Sequence, residues 1–232
     1  MKLKALKGGL FLKNEDIFSK SFFTLIAPIS LPHIQDIDGN VYTYVRIGNQ
    51  EWVVENLRTT TYADGTPINN ITESVPWMND TTGAYCWYDN DIINKDSFGA
   101  IYNHFAVLNA HGLALDGWRI ATYADYIALA AFGGGADIVG GKLKEVGTSH
   151  WADPNTGATN EYGFKAVPIG VRGYWGNFSS YDGSYCTWWV YDDLGAGMGY
   201  EISLNYNDTI IVIPVGSQFG YYGNGVRCVR DV

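Results

Sequence analysis

The last part of the chain, residues 163–232, is the feature that most limits the folds open to this sequence. It holds eight of the 17 tyrosines, three of the eight tryptophans and twelve of the 28 glycines, but a single lysine, Lys165. Large amphipathic rings between many turn-forming glycines are typical of a loop-rich sheet that contacts a ligand. We therefore expect a sheet-forming block, closed by a strand over residues 225–231, that carries the function.

Within this block, residues 200–206 alternate between apolar and polar side chains. This period of two predicts a strand whose outward face carries Ser203 and Asn205. The dipeptide Asn207–Asp208 is a turn signal, and the β-branched residues 209–213 can return as the partner strand. The block thus predicts an antiparallel hairpin with one face in the core.

The middle of the chain predicts further strands and two helices. Residues 41–47 and 51–54 read as a hairpin. Apolar side chains spaced three and four apart, from Phe98 to Leu108, predict a helix over residues 97–110. Thr122-Tyr-Ala-Asp125 resembles a capping box and predicts a second helix over 122–132. The fold class is therefore α+β, with two helices and a C-terminal antiparallel sheet.

Residues 1–35 differ from the rest in composition. They are apolar and broken by prolines, which forbids a long helix and favours an extended N-terminal arm. Because such an arm would aggregate if exposed, we expect it to dock on another subunit and form a homo-oligomer. Residues 36–232 form the predicted domain.

The net charge of −9 restricts the class of partner. The first twenty residues carry a local +3, so the remainder carries −12. An acidic body repels phosphate backbones and anionic lipid heads, which argues against nucleic-acid binding and membrane-surface binding. The sequence has no apolar run long enough for membrane insertion, and the apolar run after the first lysines is too interrupted for a signal peptide.

The sequence has no motif that selects a catalytic or metal site. The three cysteines are expected to be buried apolar residues, although one disulfide remains an alternative. The four histidines are dispersed, so a metal site would need distant ligands, and a Cys–His dyad is equally unselected. We predict no enzyme activity, no cofactor and no metal.

Taken together, eight ordered segments resemble the Fibrobacter succinogenes major paralogous domain family. The similarity runs from about residue 36 to the end. It rests on Asp38-Gly-Asn-Val-Tyr, Ile47-Gly-Asn-Gln-Glu-Trp52, Glu55-Asn-Leu57, Gly117-Trp-Arg-Ile-Ala-Thr122, Gly141-Lys-Leu-Lys144, Tyr162-Gly-Phe-Lys-Ala-Val-Pro168 with Gly170-Val-Arg172, the pair Trp188-Trp189, and Gly225-Val-Arg-Cys-Val-Arg-Asp231. The resemblance implies a C-type-lectin-like fold, and the terminal block lacks the calcium signatures of sugar-binding lectins.

A subset of this family is similar to the variable proteins of diversity-generating retroelements, such as the phage major tropism determinant. There, adenine mutagenesis changes C-terminal residues while the fold stays fixed. Adenine mutagenesis of AAC or AAT codons yields Asn, Tyr, Ser, Asp and Gly among other residues, but never Lys, Met, Trp, Gln or Glu. The tyrosine, asparagine, serine, aspartate and glycine content of residues 174–224 fits that codon alphabet. Trp175, Trp188, Trp189, Met198, Glu201 and Gln218 would then be scaffold. The alternative is an undiversified, loop-rich surface of the same fold.

The resemblance and the composition together predict a ligand-binding protein at a phage tail or fibre tip that recognises a bacterial cell-surface protein or glycan. The alternative is a bacterial surface adhesin or carbohydrate-binding module. Tyrosine offers a large contact area with few torsions to freeze, and small polar residues adapt their hydrogen bonds. The predicted contact residues are Asn177, Ser179, Tyr181, Ser184, Tyr185, Thr187, Tyr191, Asp192, Asp193, Ser203, Asn205, Phe219 and Tyr221.

Overall fold

The computed structural model describes residues 32–179, 183–192, 194–195, 197–213 and 218–232, which form an α+β fold with more strands than helices. The helices are α1 (Ser74–Asn79), α2 (Lys95–Phe98), α3 (His104–Val107), α4 (Tyr123–Phe132) and α5 (Ala136–Leu143), with 3₁₀ turns at Tyr88–Asn90 and Ile92–Asn94. The strands before residue 170 are β1 (His33–Gln35), β2 (Val41–Ile47), β3 (Gln50–Val53), β4 (Asn69–Asn70), β5 (Ala84–Cys86), β6 (Ile101–Asn103) and β7 (Arg119–Ile120). Those after it are β8 (Val171–Arg172), β9 (Phe178–Ser179), β10 (Tyr185–Trp189), β11 (Met198–Gly199), β12 (Glu201–Asn205), β13 (Ile211–Val212), β14 (Gln218–Phe219), β15 (Gly223–Val226) and β16 (Cys228–Asp231).

The described strands form two main sheets and one small ribbon. The first sheet has the order β1-β2-β3-β16-β7. The second has the order β13-β12-β10-β15-β6-β5-β4, and β8 pairs with both β15 and β9 beside it. The ribbon consists of β11 and β14. The predicted hairpins are confirmed, since β2 pairs with β3 and β12 pairs with β13, both antiparallel.

The pair Trp188–Trp189 connects two hydrophobic cores. Both side chains are fully buried, and consecutive residues of a strand point to opposite faces. Trp188 packs in the cluster that contains Trp52 and Phe164, whereas Trp189 packs in the cluster that contains Tyr102. Each indole N–H finds an acceptor, on the side chain of Asn56 at 2.8 Å and on the carbonyl of Tyr102 at 2.9 Å. Each ring therefore anchors one of the two cores.

The predicted strand over residues 225–231 is two strands that belong to different sheets. β15 ends at Val226, β16 begins at Cys228, and Arg227 lies between them with no exposed surface. Its guanidinium donates to the side chain of Asn56 and to the carbonyls of Val53, Val54, Phe164 and Lys165. The arginine thus links the crossing between the two sheets to the backbone carbonyls of two other segments.

The helix predicted over residues 122–132 is confirmed as α4. Thr122 accepts from the backbone N–H of Asp125, and the Asp125 carboxylate accepts from the N–H of Thr122 at 2.8 Å, which completes a capping box. The same carboxylate pairs with Arg119 and accepts from Gln50. The two residues of this capping box are only three positions apart, so the sequence alone could predict where the helix begins.

The helix predicted over residues 97–110 is wrong. The segment contains the end of α2, the strand β6 and the short helix α3. Gly99 ends α2 with a φ of 81°, and a side chain there would collide with Asn56. Residues 101–103 instead pair with β5 and β15, and the Asn103 side chain caps α3. Tertiary pairing overrides the helical spacing.

Two further predictions concern the cysteines and the arm. Cys86, Cys186 and Cys228 are all buried and free, so the prediction of buried apolar cysteines is confirmed and the disulfide alternative is wrong. His33–Gln35 pairs with β2, so the folded body begins before residue 36. The rest of the predicted arm, residues 1–31, lies outside the described residues.

Candidate functional site

Five aromatic side chains line an open cavity of about 490 Å³. They come from the loop between β8 and β9, from β14, and from the segment between β14 and β15. Trp175 is 68% exposed and Phe219 is 55% exposed, which is unusual for such large apolar rings. We call these residues the aromatic surface: Tyr174, Trp175, Phe219, Tyr221 and Tyr222.

Tyr174 lies at the centre of the aromatic surface. Its ring centroid is 4.8 Å from that of Trp175 and 5.7 Å from that of Tyr221, and both ring planes stand at 88° to its own. Phe219 lies at 6.0 Å with an angle of 57°. Edge-to-face contacts of this kind stabilise aromatic pairs beyond their buried area. The rings therefore hold one another in place while they remain accessible.

The buried Arg172 fixes the β8–β9 hairpin beneath these rings. Its guanidinium donates to the carbonyls of Ile71 at 2.6 Å and Thr72 at 2.7 Å, and within the hairpin to Gly176 at 3.2 Å. It also lies 4.2 Å from the ring centre of Trp77. Planar guanidinium groups suit such combined stacking and hydrogen bonding. The loop that carries Tyr174 and Trp175 is thus attached to the body at its base.

The second half of the aromatic surface is anchored through Trp77 and Glu201. The Trp77 indole donates to the carbonyl of Tyr221 at 2.6 Å. Glu201, on β12, accepts from Gln218 at 3.4 Å and from Asn224 at 3.3 Å. Burial raises the pKa of the Glu201 carboxyl group. These contacts position both ends of the segment that presents Phe219 and Tyr221.

One glycine is required by the close approach of the hairpin loop to α1. Gly176 has a φ of 78°, and a side chain there would come within 2.6 Å of the Ser74 backbone. A residue with a side chain would push the loop away from α1.

Four predicted contact residues lie at or beside the aromatic surface. Phe219 and Tyr221 belong to it, and Tyr221 is half-buried. Asn177 ends the loop that carries Trp175, and Ser179 lies in β9. Both side chains are exposed. For these four positions the structure is compatible with ligand contact.

Two predicted contact residues are corrected because they are buried. Thr187 has 0% exposure, and its hydroxyl shares its one hydrogen between the carbonyl of Gly170 at 3.1 Å and Oδ1 of Asn224 at 2.8 Å. Ser203, its cross-strand partner, is only 4% exposed. The alternation along β12 predicted a solvent face, but this face is buried at Ser203 as well. Neither hydroxyl can meet a ligand.

The remaining predicted residues lie elsewhere in the block or outside the described part. Ser184, Tyr185 and Asn205 are half-buried. Tyr185 on β10 and Asn205 on β12 are cross-strand neighbours. Burial raises the pKa of the Tyr185 hydroxyl. Tyr181 and Asp193 lie outside the described residues.

Tyr191 and Asp192 form a separate site near α4. The Asp192 carboxylate accepts from the backbone N–H of Tyr123 at 2.7 Å, which gives it a structural role at the start of the helix. The exposed Tyr191 lines a cavity of about 450 Å³ together with Leu115 and Trp118. The predicted face is therefore divided into several regions.

Tyr174 and Tyr222 were not among the predicted contact residues, and Trp175 was expected to belong to the scaffold only if the block is diversified. The ring of Trp175 is nevertheless the most exposed of the cluster, whereas Trp188 and Trp189 are fully buried. A codon alphabet predicts which residues can mutate and gives no information about their burial. The Tyr-Trp pair between two glycines, at 173–176, was the usable signal.

The described residues offer no metal site and no membrane span. No group of three or more histidine, cysteine, aspartate or glutamate side chains is placed to hold a metal ion in this part of the chain. Among its helices, none has the length and hydrophobicity needed to cross a bilayer.

Comparison with known proteins identifies one family model. A model described as the Fibrobacter succinogenes major domain matches residues 45–230, a range that includes the whole aromatic surface. Searches of curated proteins and of solved structures gave no match.

Proposed function

The chain belongs to the Fibrobacter succinogenes major domain family, and on that premise we propose that it is a non-enzymatic ligand-binding protein with a C-type-lectin-like fold. The aromatic surface is the observation that carries the proposal. Contiguous exposed rings are unfavourable in water and mark interaction sites in soluble proteins. Trp and Tyr are also the residues that contribute most to binding energy at such sites.

The rigid base of the surface supports binding over a purely structural role. Arg172 and Trp77 hold the two loops from below through hydrogen bonds of 2.6–2.7 Å to backbone carbonyls. A preorganised surface loses little conformational entropy when a ligand binds. The exposed Asn177 and Ser179 add adaptable hydrogen-bonding groups at its edge.

The state of the nucleophilic residues supports a non-enzymatic role. Burial raises the pKa of the Cys86 thiol to about 11 and that of the Cys186 and Cys228 thiols to about 12. Thiols in this state carry almost no thiolate at neutral pH and are poor nucleophiles. His111 pairs with the carboxylate of Asp64, and His150 pairs with that of Glu145. The two pairs lie far apart in sequence.

The proposed setting is a phage tail or fibre tip, where the protein recognises a cell-surface protein or glycan on the host bacterium. The codon alphabet of residues 174–224 motivates this setting, and Tyr174, Phe219 and Tyr221 fit that alphabet. An undiversified bacterial surface adhesin is the second candidate. Trp175 favours it, because adenine mutagenesis of AAC or AAT codons does not produce tryptophan. A homo-oligomer built through residues 1–31 would let several weak sites bind together.

Binding to intact cells tests the function. Fluorescently labelled full-length protein is titrated onto cells of candidate host bacteria, in parallel with Trp175→Ala and Phe219→Ala. We expect both variants to bind at least about tenfold more weakly, as for hot-spot residues. Phe132→Ala is the matched control, because Phe132 on α4 is 56% exposed and lies outside the aromatic surface. Equal binding by all four proteins would contradict the proposal.

Mass spectrometry distinguishes the two settings. Recovery of the protein from purified virions supports the phage assignment. Its absence from particles together with recovery from the bacterial envelope supports the adhesin.

A further inference from the structure

The cavity of the aromatic surface is lined by aromatic side chains at every position that the structure describes. Its volume, about 490 Å³, is in the range of small-molecule pockets. None of these five residues carries a charge, so ionic pairing with a lining side chain is not the basis of recognition. The chemistry that remains is that of the ring faces and of the tyrosine hydroxyls.

The ring orientations favour a rounded group over a flat one. A sugar ring stacks best on an open, flat aromatic platform. Here Trp175 and Tyr221 stand at 88° to the central Tyr174, and Phe219 stands at 57°. The rings therefore do not form one flat platform. A compact, nearly spherical group can touch rings of several orientations at once.

The electrostatics of the walls favour a cation. Each aromatic face carries negative partial charge, and rings that surround a cation attract it together. The chain as a whole carries −9, which raises the local concentration of cations. Arg172, the cation of the same hairpin, is fully buried below the loop, where three carbonyls accept its N–H groups. Its side chain therefore does not occupy the cavity.

From this geometry we infer that the aromatic surface is a binding site for a trimethylammonium group of the choline type. The group combines a rounded shape, a delocalised positive charge and weak hydration, so leaving water for an aromatic surface costs it little. The inference rests on the proposed function and names the chemical class of its ligand. The group could belong to a soluble choline ester or to a lipid headgroup.

Paired ligands of equal shape test the role of charge. Full-length protein is titrated with choline and with 3,3-dimethylbutan-1-ol, its uncharged analogue, by calorimetry or saturation-transfer NMR. We expect choline to bind about tenfold more tightly than the alcohol, in line with a cation–π contribution in a partly desolvated site. Equal affinity for the two compounds would show an apolar recess only and would overturn the inference, as would no binding of choline.

Variants locate the site. Trp175→Ala and Phe219→Ala should each weaken choline binding by about fivefold or more, whereas Phe132→Ala should leave it unchanged. Trp175→Leu keeps apolar bulk but removes the π face, and it serves if the alanine variant fails to fold by circular dichroism. Equal choline binding in Trp175→Leu and the wild type would overturn the assignment.

Two further experiments distinguish a soluble ester from a lipid headgroup, and the cation site from the proposed function. Binding to soluble phosphocholine without sedimentation on phosphatidylcholine vesicles indicates a soluble ester, and sedimentation with the vesicles indicates the lipid headgroup. Cell binding that is lost in Trp175→Ala but persists in excess choline would keep the proposed function and overturn the cation site.

Discussion

Replacing Arg227 by methionine tests whether the crossing between the two sheets depends on a buried cation. The guanidinium donates to the carbonyls of Val53 at 2.9 Å and Phe164 at 3.1 Å, and also to the carbonyl of Val54. It donates to the Asn56 side chain at 2.8 Å. Methionine has similar length and fills much of the same space, but it has no N–H to offer.

The expected loss of stability follows from these acceptors. A buried acceptor left without a donor costs about 1–3 kcal/mol, and at least three carbonyls lose one here. Part of this cost is offset because an ion no longer has to be buried. Burial already lowers the pKa of Arg227 to about 10, which shows that the site disfavours the charge itself. We expect a net loss of about 3–5 kcal/mol, because three buried carbonyls without donors cost more than the removal of the buried ion restores.

Urea unfolding followed by tryptophan fluorescence measures the effect, because Trp188 lies next to Arg227. The matched control is Arg230→Met, three residues further along the chain. Arg230 pairs with Glu51 at 2.6 Å near the surface, so its loss should cost only about 0–1 kcal/mol. The Arg227 variant should unfold about 1–2 M lower in urea than the control. Equal midpoints for the two variants would refute the argument.

Three further predictions concern pH, capping and assembly. Burial raises the pKa of Cys186 from 9.0 to about 12, so its contribution to stability is complete below about pH 9 and is lost as the pH rises toward 12. Between pH 8 and pH 10 the wild type should therefore lose about 1 kcal/mol more than Cys186→Ala in urea titrations, and parallel losses would contradict the pKa shift. Thr122→Ala should lower the free energy of unfolding by about 1 kcal/mol because it removes the cap of α4, and an unchanged urea midpoint would show that the cap is dispensable. Deleting residues 1–31 should give a soluble monomer by light scattering, and a truncated protein that keeps the full-length assembly state would exclude the arm as the oligomerisation element.

Local signals in the sequence predicted those parts of the fold that local contacts determine. The capping box at Thr122 and Asp125 and the hairpin turn near Gly48 lie within a few residues of the elements they define. The segment from Phe98 to Leu108 shows the limit. Its apolar spacing suits a helix, but Ile101–Asn103 finds strand partners in β5 and in the distant β15. That pairing is a property of the folded chain and is not encoded in the spacing.

The residue types of the candidate site were predicted better than the positions of its residues in the fold. Phe219 and Tyr221, predicted because aromatic rings in a turn-rich segment offer contact area, line the aromatic surface. Ser203 was misplaced because the alternation of a strand does not reveal whether its second face is covered. Trp175 was left out of the predicted contact residues because the codon alphabet lacks tryptophan, and only the folded hairpin shows that its ring is exposed.

The placement of Trp188 and Trp189 in different hydrophobic cores has a consequence for how the molecule unfolds. Loss of either core would leave a tryptophan of β10 without its packing partners, because one strand supplies a buried ring to each. We therefore expect the described body to lose its structure in a single cooperative transition, with equal calorimetric and van 't Hoff enthalpies. Trp175 and Phe219 belong to neither core, so substitutions at these two exposed positions should leave that transition nearly unchanged.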